Sequence, residues 1–394
     1  MPELDLFNPT PEHAQLREMV RRFAESEVEP QALEHDRTET FNVALFRKLG
    51  ELGLLGITAQ EEFGGTGLDP VAACIVHEEL SAVDPGFTLA YLAHSMLFVN
   101  NLAQNGSDAQ RKKYLPAACS GEAICGMCMS EPDAGTDVLG MRTTAKRDGD
   151  HYVLDGAKMW ITNGAISKTE LGDTFLVYAR VEGAGRSELS MFIVEKGMAG
   201  FSLGQKIEDK LGMRASTTAE LVFEGCRVPV ENRVGEEGTA TLHMMRNLEI
   251  ERVTLAAMSL GIARRSVEVM NEYARDRKSF GEPLNRFGQI QRHIAESYAE
   301  YMAGRAYTYL IASQMDLAKP GQRLDTDGVK LFCSTMGKNV ADRAIQVLGG
   351  YGYTGEYRVE RLWRDAKLLE IGGGTIEAHQ KNMTRDLSRL EKLK

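Results

Sequence analysis

The spacing of apolar residues along this chain changes character twice, and that switch limits the architecture to three blocks. From Pro11 to about Val28 apolar residues fall at helical intervals (Leu16, Met19, Val20, Phe23), and the run is expected to stop before Pro30. The same period returns in 45–55, 70–82, 93–104 and 108–118, with a glycine-rich turn at Gly64-Gly65-Thr66-Gly67. Beyond Gly121 the pattern breaks into short β-type runs: 151–154, 174–179, 190–194 and 220–223. After Gly238 the helical period resumes, with long helices expected at 240–274, 284–316 and 323–348. The expected class is α+β. Its blocks are an N-terminal α-helical domain (1–122), a central antiparallel sandwich or barrel (123–235) and a C-terminal helical domain (236–394).

Composition excludes several functions. The 394 residues carry 46 Lys+Arg against 56 Asp+Glu, a net charge of −10. That balance argues against nucleic acid as a partner, because phosphate binding depends on clustered cations. No run of 18 or more apolar residues occurs, so no transmembrane helix and no membrane partner is expected. The start, Met1-Pro2-Glu3-Leu4-Asp5, has neither a basic nor an apolar leader region. The expected location is cytoplasmic, or the mitochondrial matrix if a transit peptide has been removed. Six cysteines are too sparse for a disulfide framework. Cys125 and Cys128 form C-x-x-C without a second ligand pair, so no metal is expected and the pair reads as buried packing.

One helix carries the strongest chemical signal. Leu248, Glu251, Leu255, Met258 and Ile262 form one apolar stripe, which places the Glu251 carboxylate on the core side. Burial of a carboxylate is costly unless it is paired, and desolvation raises its pKa. Glu251 is therefore either half of a structural ion pair, with Arg252 or a neighbouring helix, or a general base. Ser130–Asp137 places hydroxyls and amides on a loop after a strand, and Trp160 is one of two tryptophans, beside Thr162. Arg275–Gly281 is a basic cluster at a helix end, suited to phosphate or to the helix dipole. The glycines at 64–67, 349–352 and 372–374 do not fit a dinucleotide fingerprint or a P-loop.

Taken in order, Ser130–Asp137, Trp160–Gly164, Lys210–Ser216, Arg277–Gly281, Gln346–Tyr353 and Arg364–Lys367 with Gly372–Thr375 resemble the acyl-CoA dehydrogenase family. The resemblance spans about residues 10 to 390. It implies a flavoprotein whose C-terminal domain is a four-helix bundle, with FAD between that domain and the β domain, in a homotetramer. Met127, Met129 and Ser130 would contact the flavin, with Trp160 and Thr162 beside its reactive centre. Arg277, Gln346, Gly349 and Gly350 would hold the pyrophosphate and adenosine across a subunit contact. Thr375 and Glu377 would also bind the cofactor, although Ile376 replaces the usual serine. A cofactor glutamine is replaced by Gly288, with Gln289 or Gln291 as substitutes. Thr136, Glu249, Arg252 and Gly374 would bind the acyl-CoA.

Most of the family carries its base at the position of Gly373, which here has no side chain. Isovaleryl-type members carry it at the position of Glu251, so resemblance and stripe reach one residue. The resemblance further implies that the Gly373 amide polarises the thioester carbonyl and that electron-transfer flavoprotein accepts the electrons. Glutaryl-type members of the family hold a distal carboxylate with an arginine of the N-terminal domain, and no Lys or Arg occurs here between Lys48 and Arg111. A neutral, branched or short-to-medium acyl tail is expected. The alternatives are a cyclic, terpenoid or longer acyl-CoA, the enoyl-CoA reductase direction, and a catalytically silent scaffold.

Overall fold

The computed structural model describes residues 5–319 and 321–392; Met1–Leu4, part of the N-terminal reading above, lie outside them. The N-terminal third holds α1 (Pro11–Phe23), α2 (Glu29–Thr38), α3 (Val43–Glu51), α4 (Pro70–Ser81), α5 (Pro85–Leu92), α6 (Asn101–Asn105) and α7 (Asp108–Ser120). Thr10, Asn42, Asp69, Asp84 and Ser107 each accept a hydrogen bond from a first-turn backbone N–H. Each cap satisfies a donor that the helix leaves unpaired. Pro11, Pro70 and Pro85 follow three of them, at positions that need no N–H.

Pro30 does not stop the first helical run, contrary to expectation. A π-helical turn at Ala24–Val28 joins α1 to α2, and Pro30 sits in the first turn of α2. The wider turn loosens the hydrogen-bond ladder just ahead of the proline and accommodates its ring. A second π-helical segment, Ala93–Asn100, links α5 to α6, so the helix expected from residue 93 begins earlier, at Pro85.

The middle third forms β1 (Cys125–Cys128), β2 (Thr144–Asp148), β3 (His151–Thr162), β4 (Thr174–Val181), β5 (Leu189–Glu195), β6 (Phe201–Lys206), β7 (Thr218–Pro229) and β8 (Arg233–Val234). One sheet runs β6-β7-β3-β2-β4-β5-β8, with β1 added alongside β4. Its pairing is antiparallel as expected except that β4 runs parallel to both β1 and β2. Alternate residues feed two cores. Leu176 and Tyr178 pack under the N-terminal helices, while Phe175, Val177 and Ala179 pack inside the sheet. Phe175 on β4 and Phe201 on β6 bring their ring centroids to 5.7 Å although three strands lie between them, so the sheet curls towards a barrel. Cys125 and Cys128 are buried on β1, and burial pushes the Cys128 thiol up.

The last third contains α8 (Ala240–Asp276), a hairpin of β9 (Lys278–Ser279) and β10 (Glu282–Pro283), α9 (Gly288–Gln314), α10 (Arg323–Leu348), α11 (Gly350–Tyr353), α12 (Val359–Leu369) and α13 (Ile376–Leu387). Leu284–Arg286 takes a 3-10 turn, so α9 starts later than its spacing predicts. Three long helices, α8, α9 and α10, pack together, and α12 and α13 pack against α10. No helix among the described residues is long and apolar enough to cross a membrane.

The N-terminal helices and α8 share one core, which draws residues from Val20 on α1 to Leu369 on α12. At its centre α4 meets α8. Glu78 and Glu79 are 0% and 1% exposed there. Arg17 reaches them at 2.9 and 2.6 Å, Arg264 and Arg21 reach Glu79 at 2.7 and 2.9 Å, and Arg305 reaches Glu78 at 3.0 Å. Burial alone would raise the Glu78 pKa, but Arg305, Arg17 and Arg264 hold it well below the usual range. Gly261 permits this approach. A Cβ on it would lie 2.1 Å from Ser81 Oγ and 2.3 Å from the Glu78 carbonyl oxygen. Gly261→Ala is therefore expected to destabilise the fold by about 1–3 kcal/mol or more, because backbone must move. A thermal melt of the flavin-loaded protein that matches wild type would contradict this account of the helix contact.

Candidate active site

Glu251 projects from α8 towards the loop between α12 and α13. It is 6% exposed, and its Oε2 has no hydrogen-bond partner among the described residues. Its Oε1 lies 3.3 Å from the point where a Cβ on Gly373 would stand, and Leu255 Cδ1 lies 2.2 Å from that point. The loop thus passes too close to α8 for a side chain to enter without moving Leu255. Gly373 and Gly374 have φ of +65° and +101°, in the left-handed region that favours glycine. The Gly373 N–H donates to no group among the described residues. The carboxylate thus lies against a loop residue whose amide is unpaired among the described residues. Burial pushes Glu251 up to about 7, and the positive charges of Arg252 and Lys330 keep it from rising further. The carboxylate is poised to take and return a proton near neutral pH.

The N-terminal helices from α4 to α6 leave little surface open. From Pro70 to Ala103 every residue is buried except Leu89 and Leu97, which are half-buried. They bracket the start of the π-helical segment, so the surface left open in this stretch is apolar. This agrees with the absence of Lys and Arg there.

The β domain supplies a loop and an aromatic. Lys158, fully buried on β3, donates to Glu131 Oε1 at 2.9 Å and to the Met129 carbonyl at 3.2 Å. Glu131 also accepts from the backbone N–H groups of Arg142 (2.6 Å) and Thr143 (3.0 Å), which pins the Ser130–Asp137 loop. Met127 and Ser130 are half-buried, and Thr136 is exposed at the loop's tip. Trp160 is 54% exposed with φ +60°, within a bulge where the β3–β7 register slips between Lys158 and Ile161. Bulges re-aim side chains; this one turns a large aromatic outward while Thr162 stays in register with Thr218. An indole held open in this way fits a planar ligand.

Arg277, Gln346, Gly349 and Gly350 are all exposed, in the segments just beyond or at the ends of α8 and α10. The Arg277 guanidinium stands over the Tyr351 ring at 5.9 Å, and Phe280 is 95% exposed with φ +51°. No atom lies within 4 Å of a Cβ placed on Gly349 or Gly350. This open, cationic and aromatic face suits an anionic, planar group. A cavity of 590 Å³ adjoins it, lined by Tyr273, Arg277, Tyr351, Tyr357 and Arg358 together with the carboxylates of Glu29, Glu272, Asp276 and Glu356; Glu251 does not line it. Gln291 donates to the Asn285 carbonyl, whereas Gln289 is exposed.

Other expected site residues have internal partners. The buried Glu249 accepts from the N–H groups of Gly321 and Gln322 at 3.1–3.2 Å and so ties down the α9–α10 connection. Arg252 is buried and meets Asp327 at 3.1 Å, and Asp327 also contacts His379 Nδ1 at 2.6 Å. The Thr375 hydroxyl caps α13, while Glu377 is exposed in the first turn of that helix. Sequence reasoning missed Lys158, Glu131, Lys330 and His379. Glu131 lay inside the Ser130–Asp137 motif, and no apolar stripe marks the buried sides of the other three.

Models of the acyl-CoA dehydrogenase N-terminal, middle and C-terminal domains match residues 10–122, 126–226 and 241–388. The mitochondrial isovaleryl-CoA dehydrogenase of Oryza sativa subsp. japonica is 43% identical over 98% of this chain and 93% of its own. A chain from a structure of the electron transferring flavoprotein of Acidaminococcus fermentans superposes with a TM-score of 0.93 at 36% identity, covering 98% of this chain and 100% of that one. Butyryl-CoA dehydrogenase from Megasphaera elsdenii gives 0.91 at 34%, covering 96% and 99%. The three matched domains, in the order in which the helical, sheet and helical blocks build this site, show that the chain belongs to the acyl-CoA dehydrogenase family.

Proposed function

We propose that the chain dehydrogenates a neutral, branched or short-to-medium acyl-CoA between Cα and Cβ, giving the trans-2-enoyl-CoA, with Glu251 as the base. The observation that carries this reading is the buried, half-unpartnered Glu251 carboxylate beside the free Gly373 amide. FAD, when bound, supplies the acceptor for the hydride that leaves Cβ. Glu251 takes the α-proton from the thioester. The Gly373 N–H donates to the thioester oxygen, where negative charge develops as that proton leaves. Leu89 and Leu97 receive the acyl tail and keep water from the carboxylate. Thr136 and Gly374 bind along the CoA arm, and Glu249 and Arg252 shape its channel through their internal contacts.

The flavin is assigned to Met127, Met129, Ser130, Trp160 and Thr162. Arg277, Gln346, Gly349 and Gly350 are assigned to the pyrophosphate and adenosine of a flavin bound mainly by a neighbouring copy. Thr375 acts through its cap and Glu377 from the exposed first turn of α13. The wide exposure of Trp160, Phe280 and the glycines supports this division, since apolar surface of that kind is ordinarily covered. We assign a homotetramer on the same ground, and electron-transfer flavoprotein as the acceptor, in keeping with the Acidaminococcus fermentans structure.

Four outcomes are expected. Glu251→Gln removes the proton acceptor while keeping its shape, so flavin reduction by acyl-CoA should slow by about 10²–10⁴-fold or more with normal FAD content. Because Glu251 titrates near 7, wild-type kcat/KM should rise with pH through that value and level off above it. An unchanged rate in Glu251→Gln would make the group structural. Arg277→Ala should lower FAD occupancy and tetramer content together, because binding and assembly are linked; a fully flavinated monomer would refute the shared site. In a panel of thioesters, isovaleryl- and butyryl-CoA should be oxidised and glutaryl-CoA should not. Saturable glutaryl-CoA turnover would overturn the neutral tail.

A further inference from the structure

We propose that Lys330 is a positioning residue for the base: its ammonium ties the Gly374 carbonyl in place and supplies the charge that keeps Glu251 ionised. Lys330 is 0% exposed on α10, and its Nζ donates to the Gly374 carbonyl oxygen at 2.7 Å. The adjacent residue, Gly373, is the one whose Cβ position Glu251 approaches. The ammonium and the carboxylate thus each approach one of two adjacent glycines in the same loop.

A buried ammonium bonded to a neutral carbonyl needs a compensating anion. The charged groups facing this space are Glu251 and Arg252 on α8, Asp327 on α10, Glu370 after α12 and His379 on α13. The Tyr178 hydroxyl on β4 also feels Glu251. Asp327 is already matched by Arg252 at 3.1 Å and contacts His379 at 2.6 Å, and Glu370 is matched by Lys367 at 2.7 Å. Glu251 is the remaining carboxylate, and its Oε2 is unpartnered. Burial pulls Lys330 down to about 7, with Glu251 as the first charge that opposes this. The two groups therefore titrate as a pair.

The proposal rests on Glu251 being the base. Lys330→Gln keeps a donor for the Gly374 carbonyl and removes the charge; Lys330→Met removes both. Loss of the charge raises the proton affinity of Glu251, so less carboxylate is present at a given pH. In both variants the acid limb of kcat/KM should move up by about one pH unit or more. The rate should then fall about tenfold at pH 6 and recover towards wild type near pH 9, with unchanged flavin content. Lys330→Met alone should also raise KM, through the loosened loop. A limb that stays put in Lys330→Gln overturns the charge role, and loss of flavin in both variants assigns Lys330 to the fold alone. If Glu251→Gln keeps wild-type flavin reduction, the base assignment fails first. If Glu251→Gln is inactive and the Lys330→Gln limb is unmoved, only the role of Lys330 falls.

Discussion

Two adjacent carboxylates, Glu78 and Glu79, are buried where α4 crosses α8, and the arrangement of the helices depends on keeping them neutralised. Arg17 and Arg21 arrive from α1, Arg264 from α8 and Arg305 from α9, with the Tyr309 hydroxyl donating to Glu78 at 2.6 Å. Removing one partner from such a cluster leaves an uncompensated buried charge, worth about 3–5 kcal/mol. The cluster therefore specifies which faces meet. It joins the N-terminal helices to the C-terminal ones at one register, about three turns along α8 from Glu251.

That register sets the chemistry. With α8 held against α4, Leu89 and Leu97 pack against the same core as Leu255 and Met258 of the Glu251 helix. The α12–α13 loop passes close against α8 at Glu251 and Leu255. Its two left-handed glycines give it the conformation it needs, and Leu255 leaves no room for another side chain at Gly373. A base at the family's more common position would compete for the volume that Glu251 and Leu255 fill. The carboxylate on α8 and the absence of a side chain at Gly373 on the loop are one steric arrangement seen from two sides.

Glu251 was legible in the sequence because one charged residue interrupted an otherwise apolar stripe at fixed offsets. The order of helix, strand and helix blocks was legible for the same reason, since periodicity survives without tertiary knowledge. Pro30 misled because a π turn two residues earlier changes what a proline costs, and nothing local announces that turn. The parallel pairing of β4 was hidden because it depends on which distant strands meet. The exposure of Trp160 was equally hidden, since a strand-end tryptophan ordinarily packs inward and only the bulge turns it out. Thr375 reads as a ligand contact or as a helix cap, and its hydrogen bond to Ala378 shows the cap. Lys330 left no trace because α10 carries small and polar residues on several faces, so no stripe marks its buried side.

The Glu78–Glu79 cluster also orders events during synthesis. Both carboxylates emerge from the ribosome more than 180 residues before Arg264, and Arg305 follows later still. The core into which α4 packs likewise includes Ile250, Leu255 and Met258 of α8. A nascent chain that has made only its first two blocks holds a helical domain with half of its cations and an open apolar face. Long-range contacts of this kind slow folding and leave such intermediates prone to aggregation. The N-terminal helices can thus reach their final packing only after translation has passed α9, and until then their cations and apolar face stay incomplete.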